Sequence, residues 1–330
     1  MKILVTGSSG YIGSMLVDQL LQNESVTAIV GIDEKEPAFL YDRHHPKFSF
    51  VQDSLENPKW MDRVKQFGSY DAIFHTAYHI KTPYTKKAKE KHKKANIGGA
   101  QLVFQFAFEQ QIPFLLHCST VASYGARKKN AVERPLEETD PLSEHINQYG
   151  IDKKIIEENL QSLYAQKKPK TRVAIFRIGS VTGPFAQSRA KKSGLLPFLK
   201  GAMPCIPVVG NTSLRQYVHE DDVVSSMITI FKQPCGGNYE IYNIAPQSHL
   251  SFSDIADILK KYDLPIPFFI AKFTFSFLWH VTRGKIPTPP GTINSYTYPI
   301  FVDGTKITQC NFSYQYTARD AFVAKIGRYL

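Results

Sequence analysis

Residues 2–13 read KILVTGSSGYIG, a short apolar run that leads directly into three glycines. Gly7, Gly10 and Gly13 are spaced three residues apart, and a helical pattern over 11–22 follows them. Glycines at this spacing permit a tight turn, a close approach of the backbone to a diphosphate and close packing of the helix on the strand. The first N–H groups of the helix would then face the phosphates. The stretch therefore predicts a dinucleotide-binding turn.

Further apolar runs follow and alternate with longer helical patterns. Strands that are apolar almost throughout are typical of sheets buried on both faces, and intervening helices imply parallel crossovers. The pattern predicts an α/β fold with a Rossmann-type, doubly wound parallel sheet. The predicted strands are 3–6, 27–32, 48–51, 72–76, 114–118 and 172–177, and the predicted helices are 11–22, 88–111 and 148–168.

The regular alternation ends after Gly183 and Pro184. We expect a nucleotide-binding Rossmann domain over 1–183 and a smaller, discontinuous substrate-binding lobe made of 184–215 and 247–330. Residues 216–246 carry a helical pattern over 216–230 and a strand pattern over 238–245, and we expect this segment to pack back on the Rossmann domain.

The composition is that of a globular protein, with 43% hydrophobic and 21% charged residues in 330. Lys and Arg together number 40 against 29 Asp and Glu, a net charge of +11, and six of the lysines fall within 86–94. No nucleic-acid-binding motif accompanies this run. We interpret it as a solvated helix face rather than a nucleic-acid or anionic-membrane site, and a role in attracting an anionic substrate stays open.

The four cysteines predict neither a disulfide framework nor a metal site, because they lie far apart and form no Cys/His cluster at metal-ligand spacing. The first residues run straight into a strand without a leader pattern, which predicts a cytoplasmic protein. The longest apolar segment, 267–281, contains Lys272 and is shorter than the roughly 20 residues that span a bilayer. It is therefore lobe core, substrate pocket or a surface-lying helix, and no transmembrane segment is expected.

Asp33 ends the second predicted strand, 20 residues beyond Gly13. A carboxylate at this spacing accepts hydrogen bonds from ribose hydroxyls and repels a 2′-phosphate. The position favours NAD over NADP, although Lys35 nearby leaves NADP open.

Tyr149 and Lys153 are four residues apart on a predicted helix and therefore share a face. A neighbouring ammonium stabilises a phenolate and lowers a pKa that is ordinarily near 10, which makes the tyrosine more useful as a base. Thr120, at the end of the fifth predicted strand, could hold the substrate oxygen. The three residues predict a tyrosine base beside a hydroxyl that holds the substrate oxygen.

Together these motifs resemble the extended short-chain dehydrogenase/reductases, also called the NAD-dependent epimerase/dehydratase family. The resemblance covers nearly the first 245 residues, and residues 6–13 match the family's TGxxGxxG motif throughout. It implies NAD as cofactor, with Tyr149, Lys153 and Thr120 as catalytic residues and Asn96 as a structural asparagine that supports the active-site helix. The cofactor-binding residues that it implies are Gly7, Gly10, Tyr11, Ile12, Gly13, Asp33, Asp53, Ser54, Thr76, Ala77, Tyr78, Asn96, Tyr149, Lys153 and Ile178.

The resemblance also implies two substrate contacts. Ser180 stands where sugar-nucleotide epimerases usually carry Asn, in a segment beside the nicotinamide. Residues 215–223 resemble the RDYVHVDD block, which makes Arg215 an anchor for the pyrophosphate or ribose of the substrate. A second arginine, typical of enzymes acting on UDP-sugars, is absent from 284–299.

The shared chemistry leaves several reactions open. Dehydratases of the family usually follow the catalytic threonine with an acid pair, and Val121 and Ala122 stand here instead. We therefore predict a nucleotide-sugar epimerase similar to UDP-glucose 4-epimerase. The alternatives are an enzyme like 3β-hydroxysteroid dehydrogenase that oxidises a lipophilic secondary alcohol, and a non-catalytic NAD-binding scaffold. Membership would also imply a homodimer formed through helices that flank the sheet.

Overall fold

The computed structural model describes the chain except residues 38–40, 190–198, 202, 211–213, 234 and 330. Its centre is a seven-stranded sheet in the order β3-β2-β1-β4-β5-β6-β11, and every neighbouring pair is parallel. The strand order reverses between β1 and β4, which is where open α/β sheets bind ligands at the carboxyl ends of their strands. The predicted doubly wound sheet is confirmed.

Each predicted strand and helix of the Rossmann region is present, and most of their ends lie within two residues of the predicted positions. The strands of the central sheet are β1 (Lys2–Thr6), β2 (Ala28–Asp33), β3 (Phe48–Gln52), β4 (Ala72–His75), β5 (Phe114–Thr120), β6 (Arg172–Ile178) and β11 (Tyr239–Ile244). The helices that flank it are α1 (Tyr11–Leu21), α2 (Trp60–Lys65), α3 (Lys86–Lys93), α4 (Gly99–Glu109), α5 (Gln148–Lys167) and α7 (Glu220–Lys232). A π-helical turn, Lys94–Gly98, joins α3 to α4 within the single predicted helix.

Two apolar cores cover the two faces of the sheet, as the buried strands require. On one face, α1 and α7 contribute Leu16 and Met227, which are fully buried. On the other face, α2, α4 and α5 contribute Trp60, Phe104 and Leu160. The helices therefore hold the sheet from both sides and leave its carboxyl edge open.

The smaller lobe is built from short elements. Its helices are α6 (Pro184–Arg189), α8 (Phe252–Leu259), α9 (Phe268–Val281), α10 (Thr292–Thr297) and α11 (Ala318–Val323). Its strands form three two-stranded pairs from β7 (Ser180–Thr182), β8 (Cys205–Val208), β9 (Leu214–Arg215), β10 (Tyr217–His219), β12 (Leu250–Ser251) and β13 (Tyr262–Pro265). Parts of the predicted lobe segment 184–215 lie outside the described residues.

The segment 216–246 packs against the Rossmann region, but its first part is not the predicted helix. Tyr217–His219 is strand β10, which pairs with β7, and the helix begins only at Glu220. The side chain of His219 caps this helix by accepting from the N–H of Asp221, which explains where the helix begins. Strand β11 pairs with β6 at the edge of the central sheet. The boundaries at 183 and 246 stay predictions.

The expectation of no disulfide is wrong. Cys235, which follows α7, is bonded to Cys310, at the end of a 3-10 helix, across 75 residues of sequence. Spacing along the chain could not show this pair, because the fold of β11 and the segment after it brings the two residues together. Cys118 and Cys205 are free.

The apolar segment 267–281 forms the surface-lying helix α9. Ala271 is buried against the lobe core and Trp279 is buried against Tyr84, whereas Phe269, Phe273 and Phe277 are more than half exposed. Among the described residues, no helix is both long and apolar enough to cross a bilayer.

A buried ion pair attaches α5 to the sheet. Arg177 on β6 lies 3.0 Å from the Glu157 carboxylate on α5, and both side chains are almost fully buried. Ser119 also donates to Glu157, and Arg177 donates to the Tyr124 hydroxyl at 2.7 Å. Because α5 carries Tyr149 and Lys153, this network fixes the helix that presents both residues.

We expect Arg177→Met to lower the free energy of unfolding by about 3–5 kcal/mol, because it leaves the Glu157 carboxylate buried without its cation. Urea unfolding followed by far-UV circular dichroism measures the change. Arg134→Met is the matched control, since Arg134 pairs with Asp140 in an exposed position and should contribute less than about 1 kcal/mol. Equal stability of the two variants would contradict the role given to the buried pair.

Candidate active site

One large cavity of about 1030 Å³ opens at the carboxyl edge of the central sheet. It extends from the glycine turn after β1, past the ends of β4 and β5, to the lobe residues around Arg215. Every catalytic, cofactor-binding and substrate-binding residue predicted from the sequence lines it. The structure thus brings together side chains that are up to about 200 residues apart in sequence.

The glycine turn forms the floor at one end of the cavity. Gly7 has a φ of 74°, and a Cβ placed on it would lie 2.6 Å from the backbone of Ala77. A Cβ on Gly13 would lie 2.0 Å from the Gly7 carbonyl oxygen. Helix α1 begins at Tyr11, has no side-chain cap and therefore presents its first N–H groups to the cavity. These N–H groups can hold a diphosphate.

The carboxylate of Asp33 lies beside this turn. Its two oxygens accept hydrogen bonds from the N–H of Ser9 at 3.1 Å and of Lys35 at 3.0 Å. Partial burial raises the pKa of Asp33 above its ordinary value, against the opposing effect of those N–H groups. The acid is therefore held by the turn itself, in a position that can accept ribose hydroxyls and repel a 2′-phosphate.

Asp53 and Ser54 follow β3 on the same side of the cavity. Asp53 forms an ion pair with Arg63 at 3.1 Å, and the Ser54 hydroxyl donates to Glu34 at 2.7 Å. Both side chains already have protein partners, so their backbone groups are the ones that can meet an adenine. The Thr76 hydroxyl is likewise bonded to the Thr6 carbonyl at 2.8 Å.

Tyr149 and Thr120 interact directly, but the pKa of the phenol is not lowered. Thr120 is buried and Tyr149 half-buried in the cavity wall, and the Thr120 hydroxyl favours the ionised phenol. Burial outweighs this effect and raises the pKa of Tyr149 above its ordinary value. The expectation that Lys153 makes this tyrosine acidic is wrong for the structure described here.

The reason lies in the contacts of Lys153. Its ammonium donates to the backbone carbonyl of Cys118 on β5 at 2.5 Å and lies 4.6 Å from the centre of the Tyr78 ring. Burial lowers the pKa of Lys153 to about 8, because the charged form is disfavoured away from water. Lys153 is thus a buried cation at the cavity wall, held by a carbonyl and an aromatic ring.

Tyr78 and Asn96 connect the loop after β4 to its neighbours. The Tyr78 hydroxyl donates to Asp152 on α5 at 3.2 Å, and its ring meets that of Tyr149 edge to face at 5.1 Å. Asn96, on the π-helical turn, accepts from the N–H of His79 at 2.8 Å and donates to its carbonyl. The hydrogen bonds of Asn96 therefore support this loop, whereas the sequence predicted that it supports the active-site helix.

The far end of the cavity is polar and contains Arg215. The guanidinium donates to the carbonyls of Leu214 and Ser295 and lies 5.1 Å from the Phe252 ring. No carboxylate is within ion-pair distance of it in the part of the chain that the structure describes. Burial lowers the pKa of Arg215 below its ordinary value. Ser180, at the start of β7, lines the same end.

Two acidic residues of the block that contains Arg215, Glu220 and Asp222, have structural partners. The Glu220 carboxylate accepts from the N–H groups of Phe185 and Ala186 at 2.8 Å and from the Tyr11 hydroxyl. Asp222 accepts from backbone N–H groups near the chain's end, at 3.0 and 3.2 Å. This part of the block joins the lobe to the Rossmann region, and the Tyr11 hydroxyl is directed to Glu220.

Sequence reasoning missed several residues that hold the side chains of the cavity. Asp152 holds both Tyr78 and Gln148, and the carbonyl of Cys118 holds Lys153. Ser295 supplies a carbonyl to Arg215 from a segment in which the sequence showed neither an acid nor an arginine. Asp152 could have been found as the residue between the catalytic pair, whereas backbone carbonyls leave no signal in a sequence.

We expect Lys153→Met to raise the free energy of unfolding at neutral pH by up to about 3 kcal/mol, since the pKa of Lys153 is lowered from 10.5 to about 8. Lys153 binds its proton more tightly in the unfolded chain than in the folded protein. Below about pH 8 the lysine is charged in both states, so burying the charge lowers the free energy of unfolding by the full amount. This effect decreases as the pH rises toward 10.5, and the gain from the substitution should decrease with it.

Urea unfolding of both proteins at neutral pH and at about pH 10 measures this difference. Lys154→Met, which removes the half-buried neighbouring lysine, is the control and should change stability little at either pH. A Lys153→Met protein that is less stable than the wild type at neutral pH would show that the ammonium stabilises the fold.

Comparison with known proteins agrees with this geometry. A UDP-glucose 4-epimerase from Lactobacillus helveticus is 26% identical over 282 residues, which are 79% of this chain and 81% of the relative. The crystal structure of a UDP-glucose 4-epimerase from Thermotoga maritima with UDP-glucose superposes with a TM-score of 0.73 at 20% identity and covers 98% of this chain and 96% of that chain. The Bifidobacterium longum enzyme, with NAD⁺ and UDP, gives 0.74 at 15% identity, with 98% and 97% covered.

The family comparison is the most direct. The model of the NAD dependent epimerase/dehydratase family matches residues 3–245, which include the glycine turn, Thr120, Tyr149, Lys153 and Arg215. The match ends with strand β11, the last strand of the central sheet. From its fold, its cavity and this match, the chain belongs to the NAD-dependent epimerase/dehydratase family of enzymes.

Proposed function

We propose that this protein is a nucleotide-sugar epimerase similar to UDP-glucose 4-epimerase. The observation that carries the proposal is Arg215, a half-buried guanidinium that lines the far end of the cavity without a carboxylate partner among the described residues. A cation that lines a cavity without an acid partner is suited to a substrate that brings negative charge, and guanidinium groups bind phosphate through paired hydrogen bonds. The diphosphate of a nucleotide sugar supplies that charge.

The cofactor end of the cavity fits NAD. The first N–H groups of α1 would hold its diphosphate, Asp33 the adenosine ribose, and Lys153 the nicotinamide ribose. The Asp33 carboxylate disfavours the 2′-phosphate of NADP. When bound, NAD supplies a hydride acceptor that can return the hydride to the opposite face of a sugar carbon.

The chain's own residues then move and hold the proton. Tyr149, in its ionised form, accepts the proton of the sugar hydroxyl and becomes the neutral phenol, and Thr120, which favours the ionised form, holds the substrate oxygen. The Lys153 ammonium places a positive charge in the same wall and favours the anionic oxygen that forms. Ser180 and Arg215 orient the remainder of the substrate.

The alternative reactions have less support from the structure. The aromatic segment that suggested a pocket for a lipophilic alcohol is α9, and none of its residues lines the cavity. Both Tyr149 and Lys153 face the cavity, which argues against a non-catalytic scaffold. Homodimerisation and a cytoplasmic location stay predictions, and the Cys235–Cys310 disulfide argues against the latter, because disulfides are rare in a reducing cytosol.

We expect Tyr149→Phe to lower kcat for interconversion of UDP-glucose and UDP-galactose at least about 100-fold, because the substitution removes the general base. Tyr164→Phe is the control, since Tyr164 lies on the same helix outside the cavity. The product is measured by chromatography, and absorbance at the NADH wavelength is followed in parallel. Wild-type turnover without net NADH supports epimerisation, whereas accumulation of NADH would identify a dehydrogenase.

We expect Arg215→Met to weaken UDP binding at least about tenfold and to leave NAD binding unchanged, because a charged hydrogen bond contributes about 1.5–3 kcal/mol. Isothermal titration calorimetry with each ligand measures both constants. Arg134→Met is the control, since Arg134 is exposed and does not line the cavity. Unchanged UDP affinity would remove the observation on which the nucleotide-sugar proposal depends.

A further inference from the structure

Helix α9 exposes an apolar stripe that the proposed function does not use. The stripe consists of Phe269, Ile270, Phe273, Phe277 and Val281, whose exposed fractions lie between 45% and 73%. These positions fall within about one third of the helix circumference at 100° per residue. The rings of Phe273 and Phe277 stack at 6.2 Å.

The opposite face of the same helix attaches it to the lobe. Ala271 is buried there, and Phe275 packs on the lobe core next to Tyr296, while Trp279 is buried against Tyr84. The stripe is therefore separate from the face by which the helix packs on the lobe. It is a second apolar face, and exposed aromatic clusters of this kind mark interaction surfaces.

Positive charge surrounds the stripe. Residues 264–302 contain Lys272, Arg283 and Lys285 and no acidic residue. The C-terminal end of α9 also contacts the start of the lysine run: the Tyr84 hydroxyl lies 3.2 Å from His280 Nδ1, and its ring lies 5.6 Å from that of Trp279.

That contact places a lysine patch beside the stripe. The patch consists of Lys81, Lys86 and Lys87, which lie within three residues of Tyr84 and are exposed. Glu90 is the only acid between 81 and 94. The excess positive charge of the protein is thus partly concentrated at one end of the aromatic helix.

We propose that α9 and the lysine patch form a docking surface for an anionic phospholipid bilayer. The helix has 14 residues, about 21 Å of length, so it lies in the plane of the interface rather than spanning the membrane. Its phenylalanines enter the boundary between headgroups and acyl chains, and the lysines lie over the anionic headgroups. Neither contribution is large alone, and stable attachment takes both.

Charge argues against a second copy of the chain as the occupant. A two-fold interface would place the stripe against itself. It would also bring Lys272, Arg283 and Lys285 close to their own copies, with no acid in 264–302 to pair with them. An anionic lipid surface neutralises these charges, whereas a second copy doubles them.

The test is flotation with vesicles of phosphatidylcholine alone and of about equal parts phosphatidylcholine and phosphatidylglycerol. We expect the wild-type protein to float only with the anionic vesicles and to be released by high salt. Phe273→Ser combined with Phe277→Ser should lower the partition coefficient at least about tenfold. Lys86→Gln combined with Lys87→Gln should lower it about fivefold for each lysine.

The controls are matched in exposure. Ile326→Ser removes an apolar side chain that is 84% exposed, and Lys167→Gln with Lys170→Gln removes two lysines at the end of α5. Neither should change the partition. If the phenylalanine variant folds poorly, Phe277→Trp keeps the test, because brominated lipids should quench its fluorescence while the buried Trp60 and Trp279 stay unquenched.

Three results would overturn the proposal. In the first, the wild-type protein would fail to float with anionic vesicles at low salt. In the second, both control variants would reduce flotation as strongly as the test variants. In the third, the wild-type protein would not bind vesicles, and size-exclusion chromatography would show a dimer that becomes a monomer when Phe273→Ser and Phe277→Ser are combined. That result would assign the stripe to a second copy. None of these outcomes depends on the enzymatic activity.

Discussion

At the start of α1, the carbonyl oxygen of Gly7 occupies the space that a side chain at position 13 would need. The Gly7 carbonyl lies 2.0 Å from the position of a Cβ on Gly13, so any larger residue there would push the helix away from β1. Because the helix can come this close, its first N–H groups open into the cavity beside the end of the sheet. The position of the phosphate-binding end, and with it the direction in which a dinucleotide would extend toward Tyr149, depends on that contact.

The parts of the molecule that follow from local rules could be read from the sequence. The buried strands, the glycine turn and the position of Asp33 each depend on residues close together in the chain, and the structure has them where the pattern predicts. The state of Tyr149 could not be read in this way, since it depends on burial and on a carbonyl of β5 that takes the Lys153 ammonium. The disulfide and the strand over 217–219 also depend on segments that meet only after folding.

Two cations line the cavity, the buried Lys153 and the half-buried Arg215. Both have pKa values below the ordinary ones because of burial, and both are bonded to backbone carbonyls. Carbonyls orient a cation without neutralising it, so the positive charge stays available to a ligand. An acid partner would make the folded protein more stable and would compete with the substrate for the same cation. The cavity therefore keeps its charges in a state that favours binding of anions over stability of the free protein.

The exposed apolar face of α9 and the lining of the cavity are two separate surfaces of the protein. Had α9 lined the cavity, its phenylalanines would have favoured a lipophilic substrate there. Instead its buried face packs on the lobe and its exposed face points away from the core, while polar residues and Arg215 line the end of the cavity that we propose binds the substrate. No residue of α9 lines the cavity. A substitution in the exposed face of α9 would therefore change the proposed membrane docking without changing which ligand the cavity binds. The chemistry of the cavity and the apolar character of the lobe are thus independent properties of the same fold.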